Sequence, residues 1–391
     1  MEQRKRVATR FIIGIGLVSL FADMTYEGGR SITGPFLASL GAGPLLVGAV
    51  AGIGEFISYG VRWFSGRYAD RSGRHWLAMA VGYTINLLAV PALALASGAG
   101  TASALIFAER LGKGVRNPPR DAVLARAGEE VGQGRAFGLH ELLDQLGALI
   151  GPVLVALLIS LGGLRVGFAG LLGSALLALA FLVRARGQPA PPPKPRVVLR
   201  RGYPPAFYAY LAFSAVVVLG FAHFQLVAYR MGVDHLVPVY GIPLIFAVAM
   251  GADALAAYLA GLAYDRFGLR TLAFLPPLCL LATPLFFLAG SAWLLALAAV
   301  LWGAALGLQE SLMRSGLANL IPEGQRGAAY GLFDSVYGAA WLIGSVMLGA
   351  LDALGVGGVV AFSLAAELAS IYLLVRFLRS LPPRAAASGG Q

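Results

Sequence analysis

The chain of 391 residues is 58% hydrophobic and only 13% charged, about half the charged share of a soluble globular domain. Its formal net charge is +11, but the cations flank apolar runs instead of forming one basic patch, which argues against a nucleic-acid partner. A single cysteine, Cys279, excludes an internal disulfide and a cysteine-based metal centre.

A basic start, Met1 to Arg10, leads into an apolar run too long for a cleaved leader and is read as a retained first helix. Crossing about 30 Å of hydrocarbon takes roughly 20 apolar residues. Gly, Pro and charge breaks divide the chain into twelve such spans, at 11–38, 45–66, 76–97, 101–119, 135–160, 163–183, 206–230, 236–262, 271–290, 292–314, 327–350 and 356–378. The expected fold is an all-α membrane protein whose twelve transmembrane helices form two pseudo-symmetric six-helix bundles, 1–183 and 206–380. Residues 184–205, with Pro189 to Pro195 at their centre and cations but no anion, read as an extended linker. Residues 381–391 read as a disordered tail.

Most of the 30 Lys and Arg residues fall on one side if both termini are cytoplasmic, including Arg67, Arg71, Arg74, Lys113, Arg116, Arg120 and the linker cations. Arg165 and Arg230 fall on the other side. The positive-inside rule then predicts a multi-pass inner (plasma) membrane protein with both ends inside.

The first five spans carry unusual charge. At about 1.5 Å rise per residue, Asp23, Glu55, Glu109, Arg110 and Asp144 lie roughly 12–18 Å into their spans. Asp23, Glu27 and Arg30 share one helix face, as do Glu55, Tyr59 and Arg62, and His140 with Asp144. An isolated charge at a helix centre costs about 2.5–3.5 kcal/mol. These groups, with Glu141, must therefore pair or line a wet passage. The later spans contribute His223, Gln225, Asp253, Gln309, Glu310, Asp334 and Glu367. His223 has two readings, a cavity group or a satisfied packing residue.

A signal repeats at constant offset after the second span of each half. Gly66, Asp70, Arg71, Gly73 and Arg74 are followed by Gly261, Asp265, Arg266 and Gly268. Duplicated halves suit a transporter built of internal repeats. With its G-x-x-x-D-R-x-G-R loop and weaker second copy, the chain resembles the major facilitator superfamily. The resemblance implies that these loops act as a cytoplasmic gate latch. Asp70 would accept hydrogen bonds from a helix N-terminus of the other half, where the dipole favours an anion. Asp334, near Tyr330 and Tyr337, reads as part of an inner gate or as a partner of Arg314. Gly147, Gly151 and Pro152 in the fifth span resemble the core of an antiporter motif, although Val155 and Ala156 replace its further glycines. The alternative there is close helix packing through small residues. Arg110 to Gly114 resembles an R-x-x-x-G signature linked to proton movement, with Lys113 an unusual insertion.

The expected cavity for proton coupling and substrate comprises Asp23, Glu27, Arg30, Glu55, Glu109, Arg110, Asp144, His223, Gln225, Gln309 and Glu310. Protonation of Asp23 or Glu55 would alter their pairing with Arg110. The leading expectation is a secondary transporter exporting a small solute by proton antiport. One alternative is proton-coupled uptake of a small organic anion held by Arg30, Arg62 or Arg110. Another is a non-transporting receptor or lipid-handling scaffold. The expected partners are a small-molecule substrate, the proton and membrane lipid, with the chain acting as a monomer. No metal or cofactor is expected. The sequence has no P-loop, H-E-x-x-H or G-x-S-x-G, so the chain is not read as an enzyme.

Overall fold

Hydrocarbon offers backbone N–H and C=O groups no water, and a helix satisfies them within one segment. The described residues accordingly fold into helices and turns with no strand. The computed structural model describes residues 2–186, 202–321 and 326–381; the side chains of 2–4, 314, 318, 319 and 326–328 lie outside that description. Most of the expected linker and nearly all of the expected tail also lie outside it.

The helices are α1 (Glu2–Ser39), α2 (Pro44–Ser72), α3 (His75–Ala92), α4 (Ala99–Val131), α5 (Gln133–Gly170), α6 (Leu172–Ala185) and α7 (Pro205–Leu219). There follow α8 (Phe224–Val233), α9 (Gly241–Phe267), α10 (Leu275–Leu288), α11 (Ala292–Leu320), α12 (Arg326–Leu354) and α13 (Val356–Ser380). Among the described residues, nine helical stretches are long and apolar enough to cross a membrane. Two of them, Gln133–Ala185 with 53 residues and Gly241–Leu288 with 48, exceed twice the roughly 20 residues that one crossing needs. The first is interrupted at Gly162 and Gly163, the latter with φ +78°. The second is interrupted by a 3-10 stretch, Gly268–Phe274.

Two expected spans need correction. The fourth was expected to end at 119, before a loop holding Arg120 and Arg126, but α4 runs through Pro118 and Pro119 to Val131. Pro119 has no N–H to offer the Val115 carbonyl, four residues back. Ser65 of α2 donates to that carbonyl instead, at 2.5 Å, the kind of rescue that lets proline persist inside membrane helices. Arg116, inside the expected span, is 1% exposed, and Arg120 belongs to the helix and not to a loop.

The seventh expected span is broken between α7 and α8, over Gly220 to His223. Neighbouring helices satisfy the freed backbone. Ser363 donates to Gly220 O at 2.7 Å, Trp302 Nε1 to Ala222 O at 2.9 Å, and Ala222 N to Thr283 Oγ1 at 3.0 Å. Phe221 stacks on Trp302 with ring centroids 5.3 Å apart. Trp302→Phe keeps much of that packing but strands the Ala222 carbonyl. The expected loss is about 1–3 kcal/mol, read as a lower unfolding midpoint in mixed micelles.

Within the first half α1 packs on α5 and α6, and α4 on α2 and α3. In the second, α9 packs on α11, α10 on α11 and α13, and α7 on α12 and α13. Three seams join the groups: α2 on α12, α1 on α8 and α5 on α9. The repeated loop glycines have one visible common job. Gly73 ends α2 at φ +67° and Gly268 ends α9 at φ +60°, a backbone region where a side chain is penalised.

Candidate functional site

Most of the charged residues singled out above converge where α1, α2, α4, α5 and the α7–α8 break meet. Arg110 of α4 is 2% exposed. Its Nη1 lies 3.1 Å from Glu55 Oε1 of α2, and its Nε 3.1 Å from Glu109 Oε2. Glu109 is further held by Asn86 of α3, whose amide donates to its carboxylate at 2.8 Å and to its backbone carbonyl at 3.1 Å. His223 Nε2, at the start of α8, lies 3.3 Å from the same Glu55 oxygen. Glu55 is thus shared by a cation of its own half and a histidine of the other. Of the two readings open for His223, the structure places it against this carboxylate, with its ring 5.0 Å from that of Trp341.

On α1, Arg30 Nη1 pairs with Glu27 Oε1 at 3.2 Å. Tyr26, Arg30, Glu109, Arg110 and Gln225 line a small recess together with the apolar Val90, Leu93 and Ile106. Gln225 Oε1 has no hydrogen-bond partner there. Burial among opposite charges explains how this chain tolerates ions whose lone insertion would be prohibitive.

Asp23 departs from expectation. It was expected to pair with Arg110, but its nearest cation is Arg116 of α4, at 3.7 Å. Lys113, Arg116 and Arg120 had been counted with the loop cations, yet all three belong to α4. Lys113 Nζ sits 4.0 Å over the Tyr26 ring, and Arg116 lies 4.6 Å over Tyr83. Their spacing from Arg110, three, six and ten residues, marks one helix face. That spacing was present in the sequence, but of the four only Arg110 was counted at membrane depth.

The remaining predicted residues are more scattered. Gln309 is buried, accepting from Tyr337 at 2.8 Å and lying 3.8 Å from Cys279 Sγ. Its neighbour Glu310 is exposed, with Lys113, Glu27, Arg30 and Asp144 as electrostatic neighbours. Asp70 lies 3.6 Å from His75 Nε2 at the start of α3, not on the other half. Arg71, Arg74, Asp265 and Arg266 are exposed, and Gly261 faces open space. Gly66 packs near Pro118. Asp334 is half-buried, and its expected partner Arg314 lies outside the described side chains. Gly147 and Gly151 do bring helices close: a Cβ at either would overlap the Leu20 or Met24 carbonyl of α1, and Pro152 is buried beside them.

At the end of the bundle away from the start of α1, the two helix groups meet closely. A Cβ at Gly34 would overlap the Gln225 carbonyl, and one at Gly48 the Ser345 carbonyl. Arg230 bridges Asp234 at 2.7 Å and Asp352 of α12 at 3.5 Å. Towards the α1 start, Glu141 of α5 and Glu310 of α11 stay exposed beside the buried charges. Among the described residues, no group of three His, Cys, Asp or Glu side chains is arranged to hold a metal.

Solved transporters share this helical fold. A POT family transporter in complex with a thioalcohol-conjugated peptide aligns with TM-score 0.77 over 95% of this chain and 96% of its own, at 13% identity. A bacterial homolog of the human lysosomal transporter Spinster, inward-facing and occupied, aligns with TM-score 0.74 over 95% and 97%, at 12% identity. An uncharacterized protein of Mycobacterium tuberculosis is 40% identical over 96% of this chain and 95% of its own length. The sequence profile of the Major Facilitator Superfamily matches residues 15–344, and the chain belongs to that family of membrane transporters.

Proposed function

We propose that this protein is a secondary active transporter that moves a small solute by alternating access, coupled to protons and working as an exporter. In this reading the chain crosses the membrane twelve times. α5 is divided at Gly162–Gly163, α7 and α8 form one crossing, and α4 is a crossing despite its charge. The crossings form two six-helix bundles, 1–183 and 206–380, with both termini in the cytoplasm of a plasma-membrane monomer. The exposed cations Arg71, Arg74, Arg266 and Arg270 then face the cytoplasm, and the crevice beside Glu141 and Glu310 opens inward.

The observation that carries the reading is the shared Glu55. Its carboxylate joins Arg110 of one half to His223 of the other at membrane depth. A carboxylate whose partners sit on two separable bodies can bias the balance between states, because losing its charge weakens both bonds at once. A thermal-shift screen would first supply a ligand. Flux of that ligand into liposomes should collapse when the proton gradient is dissipated, and Asp23→Asn should uncouple it. Flux indifferent to both would end the proposal of proton coupling.

Uptake of a small organic anion is favoured by one feature, the placement of Arg30 and Arg110 together on the recess wall. Displacement of a bound ligand by simple carboxylates, lost in Arg30→Gln, would support uptake over export.

A further inference from the structure

α1 and α5 run parallel, since Leu20 meets Gly147 and Met24 meets Gly151. At those contacts glycine leaves nothing between the two backbones, so short side chains can span the gap between the helices. Ser19 and His140 do so at 2.7 Å. One turn further along both helices come Asp23 and Asp144. The register that joins Ser19 to His140 sets these two carboxyls on the same α1–α5 contact, each an electrostatic neighbour of the other.

Asp23 is 3% exposed and Asp144 half-buried. Oδ1 of each is buried and accepts no hydrogen bond. Two carboxylates have four acceptor oxygens and no donor, so they repel unless a proton stands between them. Arg116, 3.7 Å from Asp23 Oδ1, is too far to donate a hydrogen bond.

We propose that Asp23 and Asp144 form a single proton-binding site in which one proton is shared between the two carboxyls. The charged and titratable groups facing it are Tyr26 from α1, Lys113, Arg116 and Arg120 from α4, and His140 from α5, with Asp121 of α4 beside His140. Glu141 of α5 and Glu310 of α11 lie on its crevice side, with Asp253 of α9 beyond Glu141. Tyr26 reaches Asp23 Oδ2 at 3.5 Å. Asp144 is the more exposed of the two, so the proton enters and leaves through Asp144 while Asp23 and Arg116 hold the inner end. Bound, the site is one carboxylic acid hydrogen-bonded to one carboxylate; empty, it is two carboxylates facing Arg116 and Arg120. Its use as the coupling proton rests on the transport reading above, whereas its existence does not, and one proton would then accompany each turnover.

The test reads protons and not flux. In full-length protein in lipid, the infrared carbonyl stretch of protonated Asp, identified by isotope labelling of aspartate, should show one acid at neutral pH assignable to this pair. Asp23→Asn and Asp144→Asn should each abolish it, because the new amide donates to the remaining carboxylate in the proton's place. Asp23→Asn/Asp144→Asn should lose no more signal than either single change, a shared proton being lost only once. If the losses add, or only one of the two changes removes the band, each carboxyl titrates alone and the site is not shared. If neither removes it, the pair holds no proton. Should one single variant fail to fold, the other still removes the shared proton. The double variant, an amide pair able to hydrogen-bond to itself, reports if both fail. A band that behaves as described in a protein with no proton-linked flux would leave the site standing and remove its transport role.

Discussion

Arg110→Ala is expected to be among the most damaging single substitutions in this chain. It removes the cation that lies 3.1 Å from both Glu55 and Glu109, leaving two buried carboxylates whose remaining polar partners are His223 and Asn86. Removing one member of a buried ion pair typically costs about 3–5 kcal/mol, most of it the penalty for the charge left behind. Glu55→Gln should cost clearly less. The amide can still hydrogen-bond to His223, and Arg110 keeps Glu109. Combining the two changes should recover part of the loss, because with Glu55 neutral only one buried carboxylate lacks its cation. Unfolding midpoints in mixed micelles for the wild type, both single variants and the double form the cycle. Additive losses would mean that Arg110 and Glu55 do not interact. In the transport reading Arg110→Ala also abolishes flux, since the bond that joins the halves through Glu55 loses its cationic side.

The seams of this structure were partly legible in the sequence, and the reasons differ by residue. Helix positions followed from apolar length because hydrocarbon admits few other folds. Gly162–Gly163 and the Gly268 turn were readable as breaks because glycine and apolar interruption coincide there. The break at Gly220 was not readable. It interrupts an apolar run and is stabilised by Trp302, Thr283 and Ser363 from other helices, which no local pattern announces. The continuation of α4 past Pro118 and Pro119 was hidden for the same reason, since Ser65 supplies the missing donor from α2. The site shows the same division. Periodicity placed Asp23, Glu27 and Arg30 on one face and the 3.2 Å pair follows from it, but which cation faces Asp23 depends on how α1 crosses α4. The sequence reading points to Arg110, and packing chooses Arg116. The repeated loop was legible as a repeat, whereas the backbone shows that only Gly73 and Gly268 of its glycines end helices. The partner of Asp70 was not legible, because His75 at the start of the next helix competes with any residue of the other half.

Gly34→Ala/Gly48→Ala should shift the protein from the state described here towards the opposite one. Both glycines lie on seams between the halves, Gly34 against the α8 backbone and Gly48 against the α12 backbone. An added Cβ overlaps a carbonyl oxygen at each, and backbone cannot rotate out of the way as a side chain can. Overpacking of this kind costs about 1–3 kcal/mol per site, against about 1.4 kcal/mol for each tenfold change in a population. Gly147→Ala overlaps backbone just as badly, but its partner Leu20 lies in the same half. It should therefore lower stability in every state without favouring one. Spin labels at Glu129 of α4 and Ser315 of α11, both exposed, with Cys279 replaced by Ala, report the width of the crevice mouth. In the seam variant the distance distribution should move to shorter values as that mouth closes. In Gly147→Ala it should keep its position while the unfolding midpoint falls. Gly173→Ala, where the new methyl meets open space, should change neither. The comparison separates a steric effect on the whole fold from one on a single arrangement of its halves, which is the distinction alternating access requires. If the seam variant folds with an unchanged distance distribution, the contacts at Gly34 and Gly48 are permanent, and the two halves do not part at that end.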